Sequence, residues 1–249
     1  MTAPEALAIA FAGVAAGTIN TVVGSGTLLT FPVLLAFGYS PVVANVSNTV
    51  GLVPGSATGV HGYRAELEGQ RRRAAVLALA SVAGGITGAV LLLALPGSAF
   101  KAIVPFFIGC ALVLVLVQPW LSARLAGRRE RSRAHGATML ASLFGIGVYG
   151  GYFGAAQGIL LLAVLGVGLN EALQRVNALK NVLAGITNLA AGIVFVIAAH
   201  VDWTVALVLA AGSTLGGLLG SRVGRRLPPE ALRLLIVAIG IVAIVKLVV

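Results

Sequence analysis

The sequence predicts an all-α integral membrane protein of two inverted-topology repeats, each a glycine-broken hairpin followed by three spanning helices. Of its 249 residues 59% are hydrophobic and only 10% charged, with a mean hydropathy of +1.04; such a chain takes lipid as its solvent. Apolar runs of about 20 residues recur from end to end, the length of helices crossing ~30 Å of hydrocarbon and not the ~10-residue alternation of a β-barrel. Two runs are too short to cross, and they hold corresponding places in the two halves of the chain.

Taken in order, the apolar runs predict helices over 5–23, 27–38, 42–62, 74–95 and 99–118, then over 137–153, 158–167, 173–199, 203–222 and 230–249. At 1.5 Å per residue, 27–38 and 158–167 are half-helices. One order of long and short segments therefore fills 1–119 and returns in 137–249, with a basic linker over 120–136. Gly13-Val14-Ala15-Ala16-Gly17 resembles Gly145-Ile146-Gly147, and Gly26-Thr27-Leu28-Leu29 aligns with Gly158-Ile159-Leu160-Leu161. Gly38 aligns with Gly168, and a two-residue gap then sets Ser47 against Asn177 and Gly55 against Gly185.

Charge tests this arrangement independently. Fourteen of the 17 basic residues fall in four connections: Arg64 with Arg71–Arg73, the Arg124–Arg133 group, Arg175, and Arg222 with Arg225, Arg226 and Arg233. The positive-inside rule puts all four on the cytoplasmic face. That requires 5–38 and 137–167 each to return to the side they started from. Each repeat then crosses the membrane an odd net number of times, so the second is inverted and both termini are external; Lys101 and Lys246 are the minor exceptions. Inverted repeats with broken helices characterise secondary transporters, whose site lies near the midplane where the repeats meet.

Other features narrow the class. Met1-Thr2-Ala3-Pro4-Glu5 lacks the positive n-region of a signal peptide, so the first apolar run is expected to be retained. Cys110 is the single cysteine, which excludes an intramolecular disulfide and a CxxC metal or redox site. The net charge of +10 is spent on loops that set orientation, so the expected partners are the bilayer and a small anion, with no nucleic acid. No cofactor or metal is expected, and a homo-oligomer is left open.

The breaks carry the functional reading. Non-helical backbone in lipid leaves N–H and C=O groups unpaired at several kcal/mol each and persists only where protein or a wet cavity satisfies them. At Gly24-Ser25-Gly26 the glycines allow a tight turn, and the following half-helix presents free N–H groups and a positive dipole end, the outline of an anion site. Gly154-Ala155-Ala156-Gln157-Gly158 is placed to act likewise from the other side. The helix after each hairpin is unusually polar, with Asn45, Ser47, Asn48 and Thr49 in the first and Asn177, Lys180, Asn181, Thr187 and Asn188 in the second. Asn45 and Asn48, like Asn177 and Asn181, share a helical face.

Lys180 is the only charge placed inside a span, at a cost of at least ~2.5 kcal/mol, which a bound anion would offset; the competing reading has it snorkel to the cytoplasmic interface. All seven acidic residues fall in termini or connections, which disfavours a carboxylate proton relay or cation site. The candidate set is thus Asn20, Gly24, Ser25, Gly26, Thr27, Asn45, Ser47, Asn48, Gln157, Gly158, Asn177, Lys180 and Asn181.

Gly13-x-x-x-Gly17, the turn followed by Leu28-Leu29-Thr30-Phe31-Pro32, Gly38-Tyr39-Ser40-Pro41 and Ala44-Asn45-Val46-Ser47-Asn48 together resemble the TauE/SafE sulfite exporter family, also called TSUP, as does Gly150-Gly151-Tyr152-Phe153-Gly154 in the second half. Members often carry a denser glycine run at the first turn, which Ser25 and Thr27 interrupt here. The resemblance implies a bacterial plasma-membrane transporter of sulfite, sulfonates or sulfoacetate, with export ahead of import. In it, residues 25–27, Gln157 and Gly158 would donate to the anion, the asparagines and Ser47 would orient its oxygens, and Lys180 would neutralise it. An anion channel and a permease for another small organic anion are the alternatives. An intramembrane hydrolase is disfavoured by the absence of HExxH, GxSxG and any in-span acid.

Overall fold

The computed structural model describes residues 1–127, 136–223, 237–238 and 241. Its helices are α1 (Ala3–Val22), α2 (Thr27–Ala36), α3 (Pro41–Gly62), α4 (Arg71–Ala94), α5 (Gly97–Gly127), α6 (Gly136–Tyr152), α7 (Gln157–Gly168), α8 (Leu173–Ala198) and α9 (Trp203–Val223). No strand occurs among the described residues. The predicted helix 230–249 and the linker core 128–135 lie almost entirely outside them.

Five helices, α1, α4, α5, α8 and α9, are long and apolar enough to cross a membrane, and α2 and α7 are the short ones. The predicted end of α5 at 118 is corrected: the helix runs on through Pro119 to Gly127. A proline costs a helix one hydrogen bond without always ending it. α3 is long enough to cross but polar, and Asn45, Ser47, Asn48 and Thr49 are all buried against protein.

Small residues let the helices approach. Gly13 and Gly17 of α1 lie on Gly212 and Ser213 of α9, and Gly147 and Gly151 of α6 lie on Gly84 and Gly85 of α4. Backbone-to-backbone packing of this kind binds helices together in lipid, where the hydrophobic effect offers no preference for helix over solvent. α3 packs on α9, α4 on α8, and α3 on α8.

Both hairpins turn by the same bonds. Val23 and Gly24 donate to Ile19 O, and Phe153 and Gly154 donate to Tyr149 O. Gly24 (φ +91°) and Gly154 (φ +76°) supply the left-handed residue each turn needs. The turns therefore correspond at Gly24 and Gly154, and the expected pairing of Gly26 with Gly158 is off by two residues. Gly17 with Gly147 and Gly38 with Gly168 share that same spacing, so the two-residue gap is unnecessary.

The ends of the bundle are set by polar contacts. At one, Arg73 Nη1 lies 2.7 Å from Glu171 Oε1 and Arg175 Nε 2.8 Å from Glu171 Oε2, tying the first turn of α4 to the connection before α8. At the other end of α3, the Tyr39 hydroxyl has its pKa raised by partial burial and by the carboxylates of Asp202 and Glu5. Glu5, in the first turn of α1, and Tyr39, just after α2, thus lie at one end of the α1–α2 hairpin.

Behind the second turn, Phe31, Phe100, Phe107, Tyr152 and Phe153 pack mainly edge-to-face, with Phe31 and Phe153 centroids 5.1 Å apart. Such pairs add about 0.5–1.5 kcal/mol each beyond area burial and brace the turn.

Candidate functional site

The two broken hairpins touch. Gly158 N–H, at the start of α7, donates to Gly24 O at 3.0 Å. A Cβ on Gly24 would stand 2.5 Å from Gly158 Cα, so the crossing exists only because both residues lack side chains. Beside it lies a cavity whose room for water-sized centres is about 20 Å³, enough for about one water and too small for a sulfur oxyanion without opening.

Of the predicted residues, Asn20, Gly24, Thr27, Gln157, Gly158 and Asn181 line this cavity. Thr21, Ser56, Gly154, Ala184 and Asn188 line it as well and are absent from the predicted set. The polarity of α8 had already singled out Asn188; Thr21 and Ser56 carry no local signal, because a hydroxyl in a membrane helix normally bonds its own backbone, as both do here.

The remaining predicted residues support the turns from behind. Gly26 N–H donates to Asn20 Oδ1 at 2.7 Å, so the amide of Asn20 closes one orphan donor of α2. Thr30 Oγ1 donates to Asn48 Oδ1, and Asn48 Nδ2 reaches Thr27 Oγ1 at 3.4 Å. Asn45 Nδ2 donates to Tyr152 O, the last carbonyl of α6, at 2.9 Å. Ser47 Oγ accepts from Asp202 N at 2.9 Å and is thereby committed to the α8–α9 connection.

Lys180 takes neither of the two places expected for it. It is 0% exposed, so it does not snorkel, and it does not line the cavity. Its Nζ donates to Asn20 O at 2.8 Å and Thr21 O at 3.2 Å. Asn177 Nδ2 (3.4 Å) and Asn181 Nδ2 (3.2 Å) converge on the same Thr21 carbonyl. The final carbonyls of a helix have no partner within it, so the Lys180 amine and two side-chain amides donating there supply what α1 lacks at its end.

Several buried polar atoms have no hydrogen-bond partner among the described residues: Ser25 Oγ, Gln157 Nε2, Asn45 Oδ1 and Asn177 Oδ1. Gln157, 3% exposed, both opens α7 and lines the cavity. An unsatisfied buried donor costs about 1–3 kcal/mol, which a bound acceptor would recover. Ala156 adds strain in the same turn, holding φ +59° without being glycine. Sequence reading had no signal for it. Among the described residues no group of three His, Cys, Asp or Glu could hold a metal ion.

The family profile described as "Sulfite exporter TauE/SafE" matches residues 9–247. The chain belongs to the TauE/SafE family. The Escherichia coli K12 protein "Probable membrane transporter protein YfcA" is 28% identical over 99% of this chain and 91% of its own length. "Probable membrane transporter protein ORF9" of a Sinorhizobium species is 27% identical over 93% and 88%, and a Haemophilus influenzae "Probable membrane transporter protein" 27% identical over 88% and 85%. No solved structure matches. With its five apolar helices, this TauE/SafE protein is a multi-pass membrane transporter of the inner-membrane type.

Proposed function

We propose that this TauE/SafE protein is a secondary transporter of small sulfur-containing anions such as sulfite, sulfonates or sulfoacetate. It binds the anion at the glycine crossing near the midplane and works by alternating access of two inverted repeats. The observation that carries the reading is Gln157, which opens a half-helix, lines the polar cavity and holds a buried Nε2 without a partner among the described residues. Asn20, Thr27, Asn181 and Asn188 line the same cavity with polar side chains. The contacts of the two halves support a two-fold repeat: α1 packs on α9 as α6 does on α4, and α3 on α9 as α8 does on α4; the inversion rests on the basic connections. The small volume of the cavity, about 20 Å³, favours a carrier that opens and closes over a channel. Export follows when the anion is more concentrated in the cytoplasm.

The test is ligand-induced thermal stabilisation of purified protein with sulfite, sulfate, sulfoacetate, taurine and chloride, followed by counterflow exchange in proteoliposomes. Stabilisation by a sulfur anion that is lost in Gln157→Leu supports the site. A protein that neither binds nor exchanges any of these sulfur compounds refutes it.

A further inference from the structure

Among the described residues the charge of Lys180 has no counter-ion. Five helices pack on α8, and the ionisable groups they carry are Glu5 at the far end of α1, His61 in the last turn of α3, Arg71, Arg72 and Arg73 in the first turn of α4, and Tyr149 and Tyr152 on α6, with none on α7. On α8 itself the other charge is Arg175, which Glu171 engages together with Arg73. No carboxylate among them reaches Lys180; its Nζ meets two backbone carbonyls and no third acceptor among the described residues.

That number matters chemically. A neutral amine has two N–H donors and an ammonium three, so two carbonyls saturate the neutral form and leave the charged form one bond short. A charge here is buried without a partner, the costly condition in a membrane interior. Yet the two carbonyls belong to Asn20 and Thr21, both of which line the anion cavity. The lysine stands one peptide behind the cavity wall, its Cδ 3.0 Å from where a Cβ on Gly158 would sit. An anion in that cavity is the counter-charge that the described residues do not otherwise provide.

Resting on the anion site proposed above, we infer that Lys180 is the proton carrier of the transport cycle: neutral when the cavity is empty, and protonated when an anion occupies it. The step is a simple protonation, in which the amine lone pair takes one proton from water to give the ammonium. Coupling of this kind is reciprocal, so the anion promotes protonation and protonation tightens anion binding to the same degree. Each anion then crosses with a proton, and the direction of net flow follows the two gradients together. A fold whose described spans carry no acidic residue beyond Glu5, in the first turn of α1, thus has a proton site all the same.

The probe is sulfoacetate, whose acidic groups stay ionised at neutral pH and above. Titrating it calorimetrically into the purified protein at about pH 8, in buffers of different protonation enthalpy, reads the protons taken up per anion: about one for the wild type and none for Lys180→Arg, whose guanidinium is always charged. Wild-type binding without proton uptake overturns the inference and leaves the anion site standing; so does uptake that persists in Lys180→Arg. Should the arginine variant fail to fold, Lys180→Gln is read the same way. Wild-type proteoliposomes give a third readout, since an acid exterior must speed sulfoacetate entry and draw protons in with it. Equal entry with and without the gradient also overturns the inference. Failure of the wild type to bind or exchange any of the sulfur compounds removes the anion site and the proton carrier together.

Discussion

The backbone N–H of Gly158 donates to the carbonyl of Gly24 across 3.0 Å, joining the two broken hairpins through main chain with no side chain between them. In lipid each of these groups would otherwise stay unpaired at a cost of several kcal/mol. One bond therefore both satisfies a break in each hairpin and fixes the distance between the two half-helix ends.

Gly24→Ala and Gly158→Ala are expected to destabilise the protein by about 2–4 kcal/mol each, the first through its positive φ and both through collision at the crossing. Gly109→Ala, on a helix with nothing within 4 Å of the new methyl, is the control and is expected to be neutral or stabilising by up to ~1 kcal/mol. Melting temperatures in detergent check all three.

Gln157→Leu keeps the bulk of the side chain and removes its donor. Affinity for the stabilising sulfur anion is expected to fall about tenfold or more, about 1.4 kcal/mol, with the melting temperature of the anion-free protein unchanged or raised. Gln157→Glu sets a carboxylate against the anion and is expected to abolish binding. Calorimetry on both variants measures the loss.

Glu171 has its pKa lowered from the ordinary 4.5, chiefly by its hydrogen bond from Arg73; burial opposes this, and the hydrogen bond from Arg175 and the two positive charges lower it further. A carboxylate whose folded pKa is depressed contributes stability above its unfolded value and loses it as pH falls through the lower folded value. The clasp is thus present at neutral pH and is expected to weaken below about pH 4.5, its contribution staying under ~1 kcal/mol at this solvent-exposed position. Glu171→Gln should remove that part of the pH dependence, read as the difference between wild-type and variant melting temperatures across acid pH.

Topology is checked by cysteine accessibility on a Cys110→Ala background. Cysteines at 66–70, 126–132 and 222–226 are expected to label from the cytoplasm, and those at 97 and 202 from outside. Opposite labelling of 126–132 and 222–226 would remove the inverted-repeat proposal.

The half-helices, the glycine breaks and the polar helices α3 and α8 were legible because each violates what lipid tolerates: a run too short, a turn at depth, a charge inside a span. Lys180 stood out in the sequence for the same reason. Its partners were not, because the carbonyls of Asn20 and Thr21 belong to every residue alike and only tertiary structure shows which ones a helix end leaves open. Thr21 and Ser56 were missed because their hydroxyls are satisfied within their own helices. The turn register was misjudged because glycines at 24, 26, 154 and 158 offer two alignments, and only the bonds to Ile19 and Tyr149 choose between them. α5 was cut short because Pro119 reads as a stop, whereas a helix continues past a proline where the lost bond is tolerated.

The contact of Gly24 with Gly158 also limits what mutation can repair. A clash in a packed core is commonly relieved by shrinking the opposing residue, so that two changes restore what one destroyed. Here neither partner has anything left to give up. A side chain gained on either hairpin can be accommodated only by moving a whole half-helix, and that would pull apart the donors gathered around the cavity. The two residues are therefore locked together with no second-site suppressor at the contact itself, although 134 positions separate them in the chain (158 − 24).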